Sequence, residues 1–525
     1  MPVLEFYITV FTFPPSNSRI ACSPFGKSHY SPLTIHIHLN HQAMSALVSE
    51  APTPPPARPP PPPSIRKRAL TVGQTVLIEL RAQRRITIPL AAMNLTWFAK
   101  TAITTVFLGR LGGLSLSGGI LGFTFANVTG FSVLVGLCGA MEPICGQGHG
   151  AGNRRLLRKT LLMAILLLLS ASLPISFLWI NVDKILLRFG QQRDIANVAK
   201  KYTTYLLPDL VVASFLSPLK AYLSSQEVTL PTLLSSAVAL ALHIPLNIVL
   251  ARARGIQGVA MAIWLSDLAT AVMLAAYVYR SERKIGKGGG WWDQRVGDWV
   301  QLLRLAAPCC LTTCLEWWCW EILVLLTGRL PDPQRAVAVA AVVLNFDYLL
   351  YSIMLSLATC ASVRVSNELG AGRAQAARDS AYVSLGLGVL SGFLGALATA
   401  GARGGWGSLF SHDEGVVDGA RKMMRLMALV ELVNFPLAVC GGIVRGTAAP
   451  WVAMCASLGG FYLVALPLGA ILAFRVRLGL GGLLLGFLAG ATIGAALLVL
   501  FVALKNWEEE AAKAEKLAGA STCSG

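Results

Sequence analysis

Glu316 and Glu321 stand in Cys314-Leu-Glu-Trp-Trp-Cys-Trp-Glu321, inside an apolar stretch long enough to cross a bilayer. A charge in hydrocarbon costs about 2.5–3.5 kcal/mol on insertion scales, so a carboxylate retained there needs a reason. Among Trp317, Trp318 and Trp320 it has little water to hold its charge, which suits a group that takes up and gives back a proton. Five residues turn a helix by about 500°, so the two carboxylates point roughly 140° apart and cannot form one tight site. One is expected to face a cavity while the other pairs with a neighbouring helix; in the competing reading both are tied up in hydrogen bonds. Glu431 and Asn434, three residues apart, share a helix face. Pro436 follows and frees a backbone carbonyl that a cavity can use, or simply kinks the helix. Lys100 balances a carboxylate or extends its stem to the membrane surface. The proton-coupling candidates are therefore Glu316, Glu321 and Glu431, with Asn434 and Lys100 as polar candidates of the cavity. Asp347 is a further charge in an apolar stretch, Asp209 and Asp267 read as structural, and His243 as a packing residue.

Positioning such groups requires membrane helices. Apolar residues make up 54% of the 525 positions and charged residues 13%, against roughly 25% charged in ordinary soluble proteins. Stretches of about 20 apolar residues predict twelve spans, near 86–108, 114–141, 156–180, 202–223, 231–251, 256–279, 302–327, 336–361, 381–401, 423–444, 449–473 and 478–504. The tenth is expected to be the least regular, because Pro436 and Gly441-Gly442 interrupt it.

The bundle is written twice. Glu142-Pro-Ile-Cys-Gly-Gln-Gly-His-Gly-Ala-Gly152 and Ser362-Val-Arg-Val-Ser-Asn-Glu-Leu-Gly-Ala-Gly372 both close an apolar segment and run into basic sequence, about 220 residues apart. Arg158 then falls on Arg378, and Phe189, Ala199, Lys200 and Lys201 fall on Phe410, Ala420, Arg421 and Lys422. A duplicated polytopic unit is the sequence sign of a secondary transporter whose substrate path runs between the halves. Glu142, Gly146, Gln147, Gly150, Gly152, Arg364, Asn367, Glu368 and Gly370 are read as structural turn motifs. A turn is favoured over a phosphate cradle, since no Lys-Ser/Thr follows the glycines and no strand precedes them.

The net charge of +18 would suggest nucleic acid in a soluble chain. Here the basic residues lie in short loops, where they orient helices instead; their bias places both termini in the cytosol. Among the eleven cysteines, Cys309, Cys310, Cys314 and Cys319 cluster, but without CxxC spacing or a nearby histidine, so no metal is expected. Residues 1–80 are expected to be a disordered, Pro-rich cytosolic extension, with Met44 a candidate start and Pro59 to Pro63 an extended run. Residues 506–525 read as a charged cytosolic tail.

The motifs Glu142-Pro-Ile-Cys-Gly-Gln147, Cys314-Leu-Glu-Trp-Trp318 and Arg364-Val-Ser-Asn-Glu-Leu-Gly-Ala371, with Phe107-Leu-Gly-Arg-Leu-Gly112 and Val444-Arg-Gly446, resemble the multidrug and toxic compound extrusion transporters, in particular the plant detoxification type. The resemblance covers roughly residues 80–505. It implies an all-α polytopic membrane protein with twelve helices in two pseudo-symmetric six-helix lobes, 81–285 and 286–505, forming a V-shaped cavity. It also implies export of organic cations, phenolics, organic acids or hormones by antiport with protons or sodium, and a coupling role for Glu316. Many members have an acid in the tenth helix where this chain has Asn434, which cannot carry a proton; Glu431 lies one turn earlier. The chain is thus expected to be a proton antiporter and not an enzyme. It needs no cofactor beyond the coupling proton or sodium, and its partners are a lipid bilayer and a small organic solute. It works as a monomer, in the plasma membrane or an endomembrane. A lipid-linked oligosaccharide flippase of similar architecture is the alternative, and an intramembrane enzyme a more distant one, since His243 has no evident catalytic partner.

Overall fold

The computed structural model describes residues 65–285 and 291–519. Met44 and the run Pro59 to Pro63 lie outside the described residues. Met1–Val72 and Gly73–Gly525 form separate units, and the second holds the helical bundle, apart from the first turns of its leading helix.

Every regular element among the described residues is helical. Among the described residues eleven helices are long and apolar enough to span a membrane: α2 Gly113–Gly150, α3 Arg154–Ile180, α4 Arg193–Ser225, α5 Leu230–Arg254, α6 Ile256–Lys284, α7 Val296–Thr327, α8 Pro333–Gly370, α9 Ala374–Ala402, α10 Glu414–Gly446, α11 Pro450–Arg475 and α12 Leu480–Ala503. Ahead of them, α1 spans Ile65–Arg110; Pro89, Asn94 and Lys100 dilute its apolar content and leave it outside that set. A short amphipathic helix, α13, runs from Trp507 to Leu517.

Local chemistry sets the ends. Asn153 caps α3 by accepting from the Leu156 amide at 3.0 Å, and Asp332 caps α8 ahead of Pro333 at its first position. Gly152 and Gly372 take φ of 72° and 70° in the two equivalent turns, a conformation open to glycine at little cost.

The core is double. One buried cluster joins α2, α3, α4 and α6, including Leu134, Leu168, Trp179, Tyr202 and Leu206. The other joins α7 to α12, including Phe346, Phe435, Val439, Phe461 and Phe487. Each half thus buries its own apolar faces, as duplicated units do.

Three expectations change. The chain enters the helical region well before residue 80: α1 begins at Ile65, and Glu79, 7% exposed, is already held in the bundle by Gln83 and Arg364. The tenth span is continuous, because Pro436 is accommodated within α10 and Gly442 serves close packing: a Cβ there would overlap the Ala358 carbonyl of α8. The irregular helices are α2 and α11, which widen into i→i+5 turns at Asn127–Phe131, Leu458–Ala465 and Ile471–Arg475. Third, most of the glycine motif is helix rather than turn. Gly146 and Gly150 lie in the last segment of α2, and Gly370 ends α8.

Candidate functional site

The sequence pairs tryptophans with glutamates on α7, and the structure gives each tryptophan a separate anchor. Trp317 donates its indole N–H to the Tyr351 hydroxyl of α8 at 3.1 Å, and Trp318 donates to the Val128 carbonyl in the wide turn of α2 at 3.0 Å. Trp320 packs on Phe487 of α12 with ring centroids 4.1 Å apart. The Tyr462 hydroxyl, in the wide turn of α11, donates to the Leu315 carbonyl at 3.2 Å. Four neighbouring helices therefore fix the turn of α7 that carries Glu316, as an accurately placed site requires.

Glu316 opens into a chamber of about 80 Å³ inside the second half, lined by Thr312, Asp347, Tyr351, Asn434 and Arg445 among apolar residues of α11 and α12. A space of that size takes a few waters or an ion; pockets for organic solutes run to roughly 300–1,000 Å³. Glu321 does not line it, as the 140° separation requires. Asn434 faces the chamber, while Glu431 on the same helix is buried, 1% exposed, and does not line it. Asp347 was visible in the sequence as a charge in an apolar stretch, but nothing there tied it to the chamber of Glu316. The only signal was an acid in an apolar stretch, Asn345-Phe-Asp-Tyr-Leu349.

Arg445 joins this chamber to the other half. Its Nε donates to Glu142 of α2 at 3.2 Å, so a residue read as part of a turn motif holds the cation of the chamber wall. Lys100 lies elsewhere, ion-paired with Asp267 of α6 at 2.5 Å. Beside it Thr104, His243, Asn247 and Ser266 form a buried hydrogen-bonded cluster. His243 is fully buried there, as a packing residue.

The remaining motif residues meet at one seam between the halves, at the end of the bundle where α2 leads to α3 and α8 to α9. Gln147 donates to the Gly446 carbonyl at 3.1 Å. Gly146 lies against Ser366, Gly150 against the Asn367 carbonyl and Gly370 against the Gln147 carbonyl, each too closely for a Cβ. Arg364 bonds Glu79 at 2.8 Å, Glu227 at 2.9 Å and Glu368 at 2.9 Å. Asn367 also donates to Glu227 at 3.2 Å, and Glu368 accepts from Arg373 at 2.6 Å. Burial alone would raise the Glu79 carboxyl, but the hydrogen bond and charge of Arg364 outweigh it and hold it below its ordinary value. α13 closes over the same end: Trp507, Ala511 and Ala514 bury in the core of the second half, and the Ala518 carbonyl accepts from Asn153 of the first half at 2.8 Å.

Comparison with known proteins gives a consistent result. The MatE family profile matches residues 89–249 and 308–471, one segment in each half. Protein DETOXIFICATION 56 of Arabidopsis thaliana is 57% identical over 451 residues, covering 85% of this chain and 92% of that protein. Protein DETOXIFICATION 48 of the same plant is 38% identical over 443 residues, covering 84% and 83%. Among solved structures, the eukaryotic MATE transporter AtDTX14 matches with a TM-score of 0.80 at 32% identity, over 85% of this chain and all of that one. A transporter from Pyrococcus furiosus matches with a TM-score of 0.74 at 16% identity, over 81% of this chain and 95% of that one, a likeness of fold alone.

Proposed function

This chain belongs to the MatE family of membrane transporters, with twelve helices in two lobes, and from that premise we propose that it exports small organic solutes by antiport with protons, Glu316 carrying the coupled proton. The observation that supports this reading most is the position of Glu316. It is the acidic group on α7 that opens into a chamber of ion size, beside Asp347 and Arg445. A chamber too small for an organic solute is suited to a proton and a few waters, leaving the solute to the space between the lobes.

The cycle follows from linkage. In the outward-open state Glu316 takes a proton from outside and the solute leaves; after the lobes rock over, the proton passes to the cytosol and solute binds again. Coupling requires proton and solute to stabilise different states, since a ligand of equal affinity for both shifts nothing. The seam of Gly150, Gly370 and Arg364 closes the cytosolic end in this reading, with both termini cytosolic, as the basic loops favour. The solutes are xenobiotics, secondary metabolites or hormones, in keeping with the detoxification named for its relatives. The protein acts as a monomer in the plasma membrane or an endomembrane.

The test is flux into proteoliposomes driven by a pH gradient, against a panel of organic cations, flavonoids and plant hormones, with sodium varied independently. Glu316→Gln keeps the side chain's size and removes its exchangeable proton. It should abolish gradient-driven flux while leaving the protein inserted and folded; undiminished flux in that variant overturns the assignment.

A further inference from the structure

We infer that α13 is a latch between the lobes: its carboxyl end, Leu517 and Ala518, fastens the first lobe to the second and favours the state in which the seam is closed. What the latch does for transport rests on the antiport reading above; the latch itself does not.

The contacts fall on the two copies of the duplicated turn. On one side the Ala518 carbonyl, in a residue 1% exposed, accepts from Nδ2 of Asn153, which follows Gly152, at 2.8 Å. On the other side Glu515 reaches the equivalent turn of the second lobe, where a Cβ on Gly372 would come within 2.7 Å of its Oε1. Between these points the helix lies against α8 and α9 of the second lobe and against the end of α2 of the first. One short helix thus touches both turns that the sequence repeat relates to each other.

The two attachments differ in strength. Trp507, Ala511 and Ala514 are buried in the core of the second lobe. Leu504 to Asn506 join the helix to α12, and Lys505 pairs with Glu510 across that link at 3.3 Å. α13 therefore travels with the second lobe. Its described contacts toward the first lobe are lighter: the hydrogen bond from Asn153, and the packing of Leu517 against the cluster that Ala140, Ile144 and Met163 form with Leu302 and Leu305 of α7. A single hydrogen bond contributes modestly once exchange with water is counted, so this is the side that releases.

When the lobes part at this end, the turns at Asn153 and Gly372 move apart, and a helix of 11 residues cannot follow both. The bond between Asn153 and Ala518 must break, so it counts toward the closed state alone. An interaction made in one state and not in the other shifts their populations by its full differential value. A helix that only covered the second lobe would stabilise both states alike.

The experiment measures distances between spin labels at Arg154 and Gln375, beside the two turns, in the full chain in lipid nanodiscs. Two variants are compared with wild type: Asn153→Asp, which still caps α3 through its carboxylate but has no amide to donate, and deletion of residues 507–525. The long-distance population should rise about threefold or more in Asn153→Asp, with the melting temperature unchanged, and about tenfold or more in the deletion. An unchanged distribution in Asn153→Asp overturns the latch, whatever the deletion does. So does a deletion that lowers the melting temperature without moving the distances, since that is the mark of a cover for one lobe. Equilibrium binding of ethidium, read by its fluorescence, then addresses transport: if solute enters the cytosol-open state, its apparent affinity should rise in the deletion by the same factor as the population. Longer distances with no change in ethidium affinity would uphold the latch and count against the antiport reading.

Discussion

Gly150 and Gly370 sit on opposite lobes and make the same contact with the roles exchanged. Gly150 presses on the carbonyl oxygen of Asn367 and Gly370 on that of Gln147, each with no room for a Cβ, and Gln147 and Asn367 are themselves equivalent in the duplicated motif. The contact is self-complementary, as an interface about a two-fold axis must be. Its consequence is energetic: overpacking costs about 1–3 kcal/mol, and here the cost falls only on the state in which the lobes touch. Gly150→Ala and Gly370→Ala should each shift the population toward the seam-open state by about tenfold or more. Spin labels at Arg154 and Gln375, one on each lobe beside the seam, should show a longer distance distribution in both variants; an unchanged distribution would show that the backbone yields without parting the lobes.

Arg364 ties α1, the loop after α4 and α8 into that seam through three carboxylates. Removing one partner of a buried ion network leaves the others uncompensated, at about 3–5 kcal/mol. Arg364→Gln should therefore lower the melting temperature more than Lys513→Gln, an exposed side chain whose partners Glu509 and Glu510 lie with it on α13 and whose loss costs about 1 kcal/mol or less.

The same network responds to acid. Because the Glu79 carboxyl is held below its ordinary value in the folded protein, its contribution is in place above the unfolded glutamate range, about 4.3, and is lost as pH falls through the lower folded value. Glu79→Gln should thus be less stable than wild type at neutral pH, and the two should converge in acid. Melting curves taken from pH 7 downward test this; a constant gap at every pH would contradict it.

Part of this was legible in the chain and part was not. Apolar runs locate the helices because each must fill the bilayer with side chains that need no water. Glu316 was legible for the same reason, as an acid where an acid is costly. The duplicated glycine motif announced two lobes, yet spacing along a chain does not say that Gly150 and Gly370 reach across to each other's repeat. That Asp347 shares a chamber with Glu316 was hidden because it depends on how α7 and α8 are rotated. The boundary at residue 80 misled because the basic residues from Arg66 to Arg85 read as loop, whereas the helix carries them past the apolar stretch and uses Glu79 as a partner for Arg364.

α13 should be separable from the rest. Trp507 is its main anchor, 7% exposed in the core of the second lobe, and truncating a buried tryptophan costs about 3–5 kcal/mol. The helix is terminal, so that loss can be met by local undocking. Trp507→Ala should raise amide hydrogen exchange across Trp507–Leu517 and around Asn153, whose donation to Ala518 would go with it, while α7 and α8 stay protected. Uniform loss of protection would show instead that α13 unfolds only with the whole bundle.

The Lys100–Asp267 pair offers the sharpest comparison with the chamber of the other lobe, because here a carboxylate has a cation of its own. Their side chains are 11% and 23% exposed and meet at 2.5 Å, so each charge has little water to fall back on once its partner is gone. Lys100→Met leaves a buried carboxylate and Asp267→Asn a buried ammonium, each worth about 3–5 kcal/mol of lost stability. Removing both charges removes the unpaired group as well, so the double variant should lose much less than the sum of the singles. A coupling of about 1–3 kcal/mol in the double-mutant cycle, from denaturation in detergent, is the expected result. Additive losses would mean that Thr104, His243 and Asn247, rather than the ion pair, hold this part of the lobe together.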